Sequence, residues 1–218
     1  MRKLTIAMVA IVALAGMAAI AQAATTVSWP LSMNANDMSG LHNGTTTDVT
    51  FSGGAAQFTS TSKIDVPYSA ALSPEDANVT VSVDVNTLSK PGTGDLDFDL
   101  VRAAPTGKMY KVELFPKNGV AIAQCIFIGS LNGTATRITI KGTRKMNDGN
   151  WHTITCQKTA TTVTLKTDGI PENSQNIQIG TIHLGKGKMF AIGYKPNTTA
   201  GGADHYIGAM KNVSVAIC

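Results

Sequence analysis

Apolar and polar residues alternate along much of the chain, and this period of two predicts β-strands with one buried face. The clearest case is 78–87, where four valines alternate with Thr, Ser, Asp and Asn. Residues 108–115 repeat the pattern and place Lys111 and Glu113 on the side that is expected to face water. Residues 119–128 are apolar at almost every position, which predicts a central strand that is covered on both faces.

Strand-like runs recur through the rest of the chain, with turn residues between them. They span 63–66, 135–141, 176–184, 188–194 and 206–217. Gly, Asn and Pro between the runs are the residues that turns favour. The exception to strand is one short helical turn expected near 73–76, because Ser is a good cap and Pro suits the first helical position. About a dozen evenly spaced strands with no long helix predict an all-β sandwich.

The first residues have the features of an export signal. Two basic residues precede an apolar run over 4–20, and the Ala-Gln-Ala that ends at Ala23 is a pattern that a signal peptidase accepts. The alternative is a membrane anchor, but the run is slightly short for a span and no positively charged flank follows it. We therefore expect residues 1–23 to be a cleaved signal peptide. Residues 24–218 are then one secreted domain that is not held in a membrane.

Charge and composition narrow the classes of partner. The formal net charge is +4, and the two basic residues of the leader account for half of it. Lys and Arg are scattered rather than clustered, so nucleic-acid binding is not expected. The glycines lie between strands and never open a helix, so a phosphate-binding loop is not predicted either.

Three cysteines in an exported chain leave one over. Cys125 and Cys156 each lie in a strand-like run, and export favours oxidation, so we predict a disulfide between them. Such a bond would stabilise the fold by about 3–4 kcal/mol in the chain-entropy model. The alternative is a pair of buried free thiols. Cys218, the last residue, would remain as a free thiol or an intermolecular link.

The segment 147–169 carries a resemblance to a known family. Its order of turn, Trp-His-Thr, strand, turn, strand and Asp-Gly resembles the middle of laminin G-like domains, which have the concanavalin A-like fold. Further segments resemble the same family in the same order, namely the Asn-Asp-Met-Ser-Gly loop at 36–40, the hairpin 97–116 and the closing run from Phe190. The hairpin is similar to that of secreted actinobacterial members. The resemblance implies an antiparallel jelly-roll β-sandwich of the concanavalin A-like lectin/glucanase type.

The same resemblance implies a function. The expected one is a secreted, non-catalytic recognition module that binds an extracellular glycan or protein through its loop rim or concave sheet. One alternative is a polysaccharide-acting hydrolase or lyase of the same fold. Another is a cell-surface structural or adhesion protein that associates with itself, through Cys218 for example. Lys211 stands where many relatives carry an acidic residue, so a role of that acid does not carry over.

Three aspartates at alternating positions are the strongest candidates for catalysis. Asp95, Asp97 and Asp99 would share one strand face, like the acids of retaining β-glucanases that the resemblance brings in. Those enzymes use Glu as both nucleophile and acid–base group. The shorter Asp does not suit a pair that must straddle a glycosidic bond at about 5 Å. We therefore expect a solvated strand here and assign no catalytic residue.

Metal sites have less support in the sequence. The four histidines lack zinc-ligand spacing, and His152 falls on the core-facing side of its strand, which predicts a partly buried, hydrogen-bonded side chain. Calcium is the metal that such a sandwich could hold, through loop acids such as Asp37, Asp48 and Asp204. Single loop acids more often form turns. No metal ligand or cofactor-binding residue is therefore assigned.

Few aromatic side chains are available to stack on sugar rings. The candidates are Trp29, Tyr68, Tyr194 and Tyr206. Because large aromatic groups also dominate cores, we expect packing to bury half of these or more.

Overall fold

The computed structural model describes residues 24–92, 97–104, 106–187, 189–196 and 204–218. Over these residues the chain forms two packed β-sheets and one short 3-10 turn, so the predicted all-β sandwich is confirmed. The predicted signal peptide, residues 1–23, lies outside the described residues, as does Asp95. No described helix is long and apolar enough to cross a membrane.

The described strands form two sheets of eight. In chain order they are β1 Thr25–Trp29, β2 Thr45–Thr47, β3 Thr50–Ser52, β4 Ala55–Phe58, β5 Lys63–Val66, β6 Val79–Asn86, β7 Phe98–Ala103, β8 Met109–Lys117, β9 Val120–Leu131, β10 Thr134–Lys141, β11 His152–Lys158, β12 Thr162–Thr167, β13 Ile170–Asn176, β14 Phe190–Ile192, β15 Asp204–His205 and β16 Gly208–Ile217. Sheet A has the order β13-β12-β11-β6-β16-β4-β3, with β1 beside β16. Sheet B has the order β10-β9-β8-β7-β14-β5-β2, with β15 beside β7. The pairing of β15 with β7 is parallel, and the other pairings between described strands are antiparallel.

The facing sides of the two sheets form one apolar core. In β6 the predicted alternation is confirmed, since its four valines are fully buried and the residues between them are half-exposed. Burying each such side chain stabilises the fold by roughly 1.5–3 kcal/mol before the loss of chain entropy is counted. Trp29 of β1 stacks on Phe190 of β14 with 5.1 Å between the ring centroids. Apolar area from both sheets thus holds the sandwich together.

A disulfide crosses this core. Cys125 of β9 is bonded to Cys156 of β11, the pair expected from the sequence, and both residues are buried. Because β9 lies in sheet B and β11 in sheet A, the bond ties one sheet to the other. Cys218 is exposed and free, and the backbone of this residue pairs with Asn78.

One extra residue in β7 sets the side on which its polar groups lie. Asp99 pairs with Glu113 and Val101 pairs with Val112, so Leu100 is a β-bulge. Leu100 and Val101 both belong to the buried core. Asp99 and Arg102 consequently lie on the same outer face of sheet B. Strict alternation would have turned Arg102 inward.

Two expectations about local structure are wrong. Beyond Asn176, the last residue of β13, residues 177–184 do not form a strand, because Gly180 has a φ of +72°, which interrupts an extended chain. The residues just before them form β13 instead. The short turn lies at Ala70–Leu72 rather than at 73–76, since the Ser that caps it is the one three positions before Leu72.

Candidate functional site

A cavity of about 320 Å³ opens on the outer face of sheet B. Val112 of β8 and Cys125 of β9 are paired and face the core, as the disulfide requires. The residues that alternate with them point away from sheet A and toward the cavity. The apolar lining consists of Met109, Phe115, Ile126 and Ile128, and the polar lining includes Gln124, Arg137, Thr139, Lys141 and Lys195.

Lys111 lies among buried acids in the wall of this cavity. Its ammonium is 2.9 Å from Asp99 Oδ1 and 3.4 Å from Asp97 Oδ2, and it also contacts Glu113 Oε2. Lys111 is 7 % exposed, and Asp99 and Glu113 are fully buried. The expected solvated faces of β7 and β8 are therefore wrong. The ammonium of Lys111 and the neighbouring carboxylates neutralise one another, and this allows the charged side chains to be buried.

The other oxygens of Asp99 and Glu113 also have donors. Arg102 Nη1 lies 2.9 Å from Asp99 Oδ2, so Asp99 pairs with two cations. The Gln124 side-chain amide donates to Glu113 Oε1. Donors on β7, β8 and β9 thus fix these two carboxylates in place.

Burial and neighbouring charges determine which of these groups holds a proton. Burial, together with the charges of Asp99 and Glu113, raises the pKa of Asp97 to about 10. Burial likewise raises the pKa of Glu113 to about 7. Burial alone would lower the pKa of Lys111, but Asp99, Glu113 and Asp97 outweigh it and raise that pKa. At neutral pH Asp97 is therefore protonated and Lys111 is charged.

Asp204 of β15 accepts a hydrogen bond from the protonated carboxyl group of Asp97. The Oδ1 atoms of Asp97 and Asp204 are both buried, and neither has a described hydrogen-bond donor when both groups are ionised. A proton on Asp97 supplies that donor. Burial would raise the pKa of Asp204, but the hydrogen bonds from Asp97 and Lys195 lower it. Lys195 Nζ lies 2.9 Å from Asp204 Oδ2.

The Lys111 ammonium also occupies the position in which these acids could bind a metal ion. Within the described parts of the chain, Asp97, Asp99 and Glu113 are the one group of three potential ligands whose oxygens lie within 4.8 Å of one another. The Lys111 ammonium contacts all three. A hard cation prefers oxygen ligands of this kind, but here it would have to displace an ammonium that already neutralises them.

The three loop acids considered for calcium lie in separate environments. Asp37 accepts from the backbone N–H groups of Ser39 at 3.0 Å and His42 at 2.7 Å, so it shapes its own loop. Asp48 is exposed in a turn with a φ of +52°. Asp204 pairs with Lys195. None of the three belongs to the group of acids around Lys111.

His152 lies between two aspartates and is partly buried. Its Nδ1 is 2.9 Å from Asp168 Oδ2, and its Nε2 is 3.0 Å from Asp148 Oδ1. Burial would lower the pKa of His152, but the hydrogen bonds that its ring donates to the two carboxylates raise it. The side chain thereby connects the turn before β11 to the turn between β12 and β13.

The aromatic residues that the sequence offered as sugar-stacking candidates are buried or partly buried in the core. Trp29 and Tyr206 are fully buried, and Tyr194 is nearly so. Tyr68 is partly buried against the core. The aromatic side chain that does line the cavity is Phe115, and the Lys141 ammonium lies 3.3 Å from its ring centroid.

Reasoning from the sequence predicted a strand at 135–141, which is confirmed as β10, but did not identify its polar side as one wall of the cavity. Arg137, Thr139 and Lys141 alternate with Ile138 and Ile140 along β10, and the two isoleucines are buried. That alternation was visible in the sequence. The sequence alone does not show that the polar side of β10 faces Phe115 and the ion-paired side chains around Lys111.

Comparison with known proteins places the chain among similar folds. A family model described as the concanavalin A-like lectin/glucanases superfamily matches residues 40–216. No curated protein matches the sequence.

Several solved structures are similar to it. One is domain 4 of AbnA, a GH43 extracellular arabinanase from Geobacillus stearothermophilus, in complex with arabinotriose; it aligns with a TM-score of 0.63 and 16 % identity over 89 % of this chain and 93 % of that one. Another is the receptor-binding domain of botulinum neurotoxin D, with a TM-score of 0.60 and 14 % identity over 87 % of this chain. This chain spans about half of that toxin domain, since the match covers 48 % of it. At such identities these likenesses show the fold alone.

Proposed function

The chain belongs to the concanavalin A-like lectin/glucanases superfamily, and from that premise we propose that it is a non-catalytic recognition module for an extracellular glycan. The cavity on the outer face of sheet B is the proposed binding site. Its lining carries the proposal, because apolar side chains lie beside hydrogen-bonding and cationic groups. A sugar, with apolar ring faces and polar hydroxyl groups, fits a mixture of this kind.

One of the fold neighbours supports a glycan as the partner. The arabinanase domain is described in complex with arabinotriose, and it aligns with almost the whole of this chain. The disulfide between Cys125 and Cys156 supports an extracellular location, because such bonds persist in oxidising compartments.

The environment of the acids favours binding over hydrolysis. A glycosidase needs two carboxyl groups that reach the scissile bond from either side. Among the described acids that line the cavity, Glu113 is fully buried and is held by Lys111 and Gln124. Asp97 lies beside the same ammonium and is protonated. Neither is free to act as a nucleophile toward a sugar in the cavity, so we propose that no hydrolysis occurs.

Binding to a glycan array, with and without calcium, tests the proposal. Thr139 is half-exposed on β10 and lines the cavity. Thr139→Trp should fill the cavity and abolish retention on any glycan that the native protein binds. Thr164→Trp is the matched control, because Thr164 is a half-exposed strand residue on the outer face of sheet A.

The proposal predicts retention without release of reducing sugar, loss of retention in Thr139→Trp and full retention in Thr164→Trp. A blank array would overturn glycan binding. Sugar release by the native protein that Asp97→Asn abolishes would instead favour the hydrolase. Equal retention by both tryptophan variants would move the binding site away from this cavity.

A further inference from the structure

We infer that the glycan bound in this cavity is anionic, with carboxylate or sulfate groups that pair with Arg137 and Lys141 of β10. This inference rests on the proposed function and names the chemical class of its ligand. Both side chains line the cavity. They lie four positions apart on the same face of one strand, which corresponds to roughly 13 Å along it.

The pairing of the charges around the cavity carries the inference. Lys111 is surrounded by Asp97, Asp99 and Glu113. In contrast, neither Arg137 nor Lys141 forms an ion pair within the described parts of the chain. The positive charge of the β10 wall is therefore uncompensated, whereas that of the opposite wall is balanced by neighbouring acids.

The position of Lys141 is suited to meet an anion. Its ammonium lies 3.3 Å from the ring centroid of Phe115, and such a cation–π contact restricts where the group can go. Phe115 also lines the cavity, so the ammonium is held above an apolar surface rather than free in solvent. A carboxylate or sulfate on a sugar packed against that surface would lie within reach of it.

Arg137 can supply a second, more specific contact. Its side chain is exposed, and Thr139 lies between it and Lys141 on the same face. A guanidinium presents paired N–H donors that match the two oxygens of a carboxylate or sulfate. The opposite wall does not repel such a ligand strongly, because its acids are buried, paired with Lys111 or protonated.

The test compares charged polymers with their neutral counterparts. Binding constants are measured for polygalacturonate, for the same polymer fully methyl-esterified, for dextran sulfate and for dextran. We expect tight binding to polygalacturonate, to dextran sulfate or to both, and at least tenfold weaker binding to the neutral counterpart. The two acidic polymers distinguish carboxylate from sulfate as the recognised group.

Single substitutions locate the effect. Arg137→Gln and Lys141→Gln should each weaken binding to the acidic polymer by about tenfold or more. Each should also reduce the loss of affinity on adding salt. Lys166→Gln is the matched control, because Lys166 is a half-exposed cation on β12 of sheet A, without an ion pair in the described chain. Unfolding curves of the three variants should match that of the native protein.

The outcomes separate this inference from the proposed function. Binding to neutral glycans that Thr139→Trp abolishes, but that both glutamine variants retain, would overturn the anionic ligand and leave glycan binding intact. Binding to acidic polymers that Lys166→Gln weakens as much as Arg137→Gln would mean diffuse charge attraction, and would also overturn the inference. Absence of binding to every acidic and neutral polymer would overturn both.

Discussion

The Lys111 ammonium lies 2.9 Å from Asp99 Oδ1, on the outer face of a sheet, and yet Lys111 is buried but for 7 % of its surface and Asp99 is fully buried. Taking both charges out of water costs free energy, which their attraction and further hydrogen bonds must offset. Asp99 obtains a second cation from Arg102 for this purpose. The stability of the cavity wall therefore depends on every member of this buried ion pair keeping its partner.

Replacing Lys111 should be strongly destabilising. Lys111→Met leaves three buried acids without their common partner, and we expect the free energy of unfolding to fall by about 3–5 kcal/mol. Denaturant unfolding followed by tryptophan fluorescence measures the change.

The same variant should acquire a response to calcium. With the ammonium gone, Asp97, Asp99 and Glu113 present oxygens close enough together to hold a cation. Millimolar calcium should raise the Tm of Lys111→Met and leave the native Tm unchanged. An equal rise in both proteins would contradict the view that the ammonium occupies this position.

Asp97 and Asp99 should respond in opposite ways to loss of charge. Asp99→Asn weakens the pairing with two cations and should lower the free energy of unfolding by about 3–5 kcal/mol. Asp97→Asn should be neutral or stabilising at pH 8, because Asp97 is protonated in the folded protein and an amide can donate to Asp204 in its place. Chemical unfolding of both variants at pH 8 checks the contrast, which equal destabilisation would refute.

The pH dependence of Asp97→Asn follows from the same shift. The pKa of Asp97 rises from 3.8 to about 10 on folding, so its contribution to stability is fully present below about pH 4. That contribution is lost as the pH rises toward 10. Asp97→Asn should therefore lose less stability than the native protein over this range. Parallel curves for the two proteins would show that Asp97 does not hold the proton.

His152 should contribute stability mainly at acidic pH. Its pKa is raised from 6.5 in the folded protein, so the contribution is fully present below pH 6.5 and is lost as the pH rises through the folded value. The stability difference between the native protein and His152→Gln should be larger at pH 6 than at pH 8.5, by a few tenths to about 1 kcal/mol. Urea unfolding at the two pH values measures this stability difference. A difference that does not change with pH would disprove the claim that charged His152 stabilises the fold.

The disulfide should account for a measurable share of the stability. Cys125 and Cys156 are 31 positions apart, and opening a loop of that length should lower the free energy of unfolding by about 3–4 kcal/mol in the chain-entropy model. The double variant Cys125→Ala/Cys156→Ala, compared with the native protein in urea, measures this. Cys218→Ser serves as control and should unfold like the native protein, because Cys218 is exposed.

Local patterns were sufficient to predict the framework of the fold. The four valines of β6 indicate their buried side by alternation alone, and Cys125 and Cys156 each fall in a strand that faces the core. The failed strand at 176–184 shows the limit of that reasoning. Its composition favours an extended chain, but the positive φ of Gly180 depends on how the segment packs against Ser130.

The cavity wall was less predictable because it depends on pairing between strands. Alternation along each strand alone predicts that Asp97 and Asp99 face solvent, and it predicts the same for Lys111 and Glu113. Their burial follows from the register that sets Asp99 beside Glu113. The bulge at Leu100 then brings Arg102 to the same face, and no turn residue in the sequence marks it.

The bulge also affects which changes in length the chain could accept. Because Leu100 is the unpaired residue of β7, deleting it would leave the partners of Asp99 and Val101 on β8 unchanged. The deletion would cost one buried leucine and its carbonyl bond to Gly193, but every other side chain of β7 would keep its face. Deleting Val112 from β8 would instead turn part of that strand inside out. A one-residue deletion should therefore be tolerated better at Leu100 than at Val112 of β8.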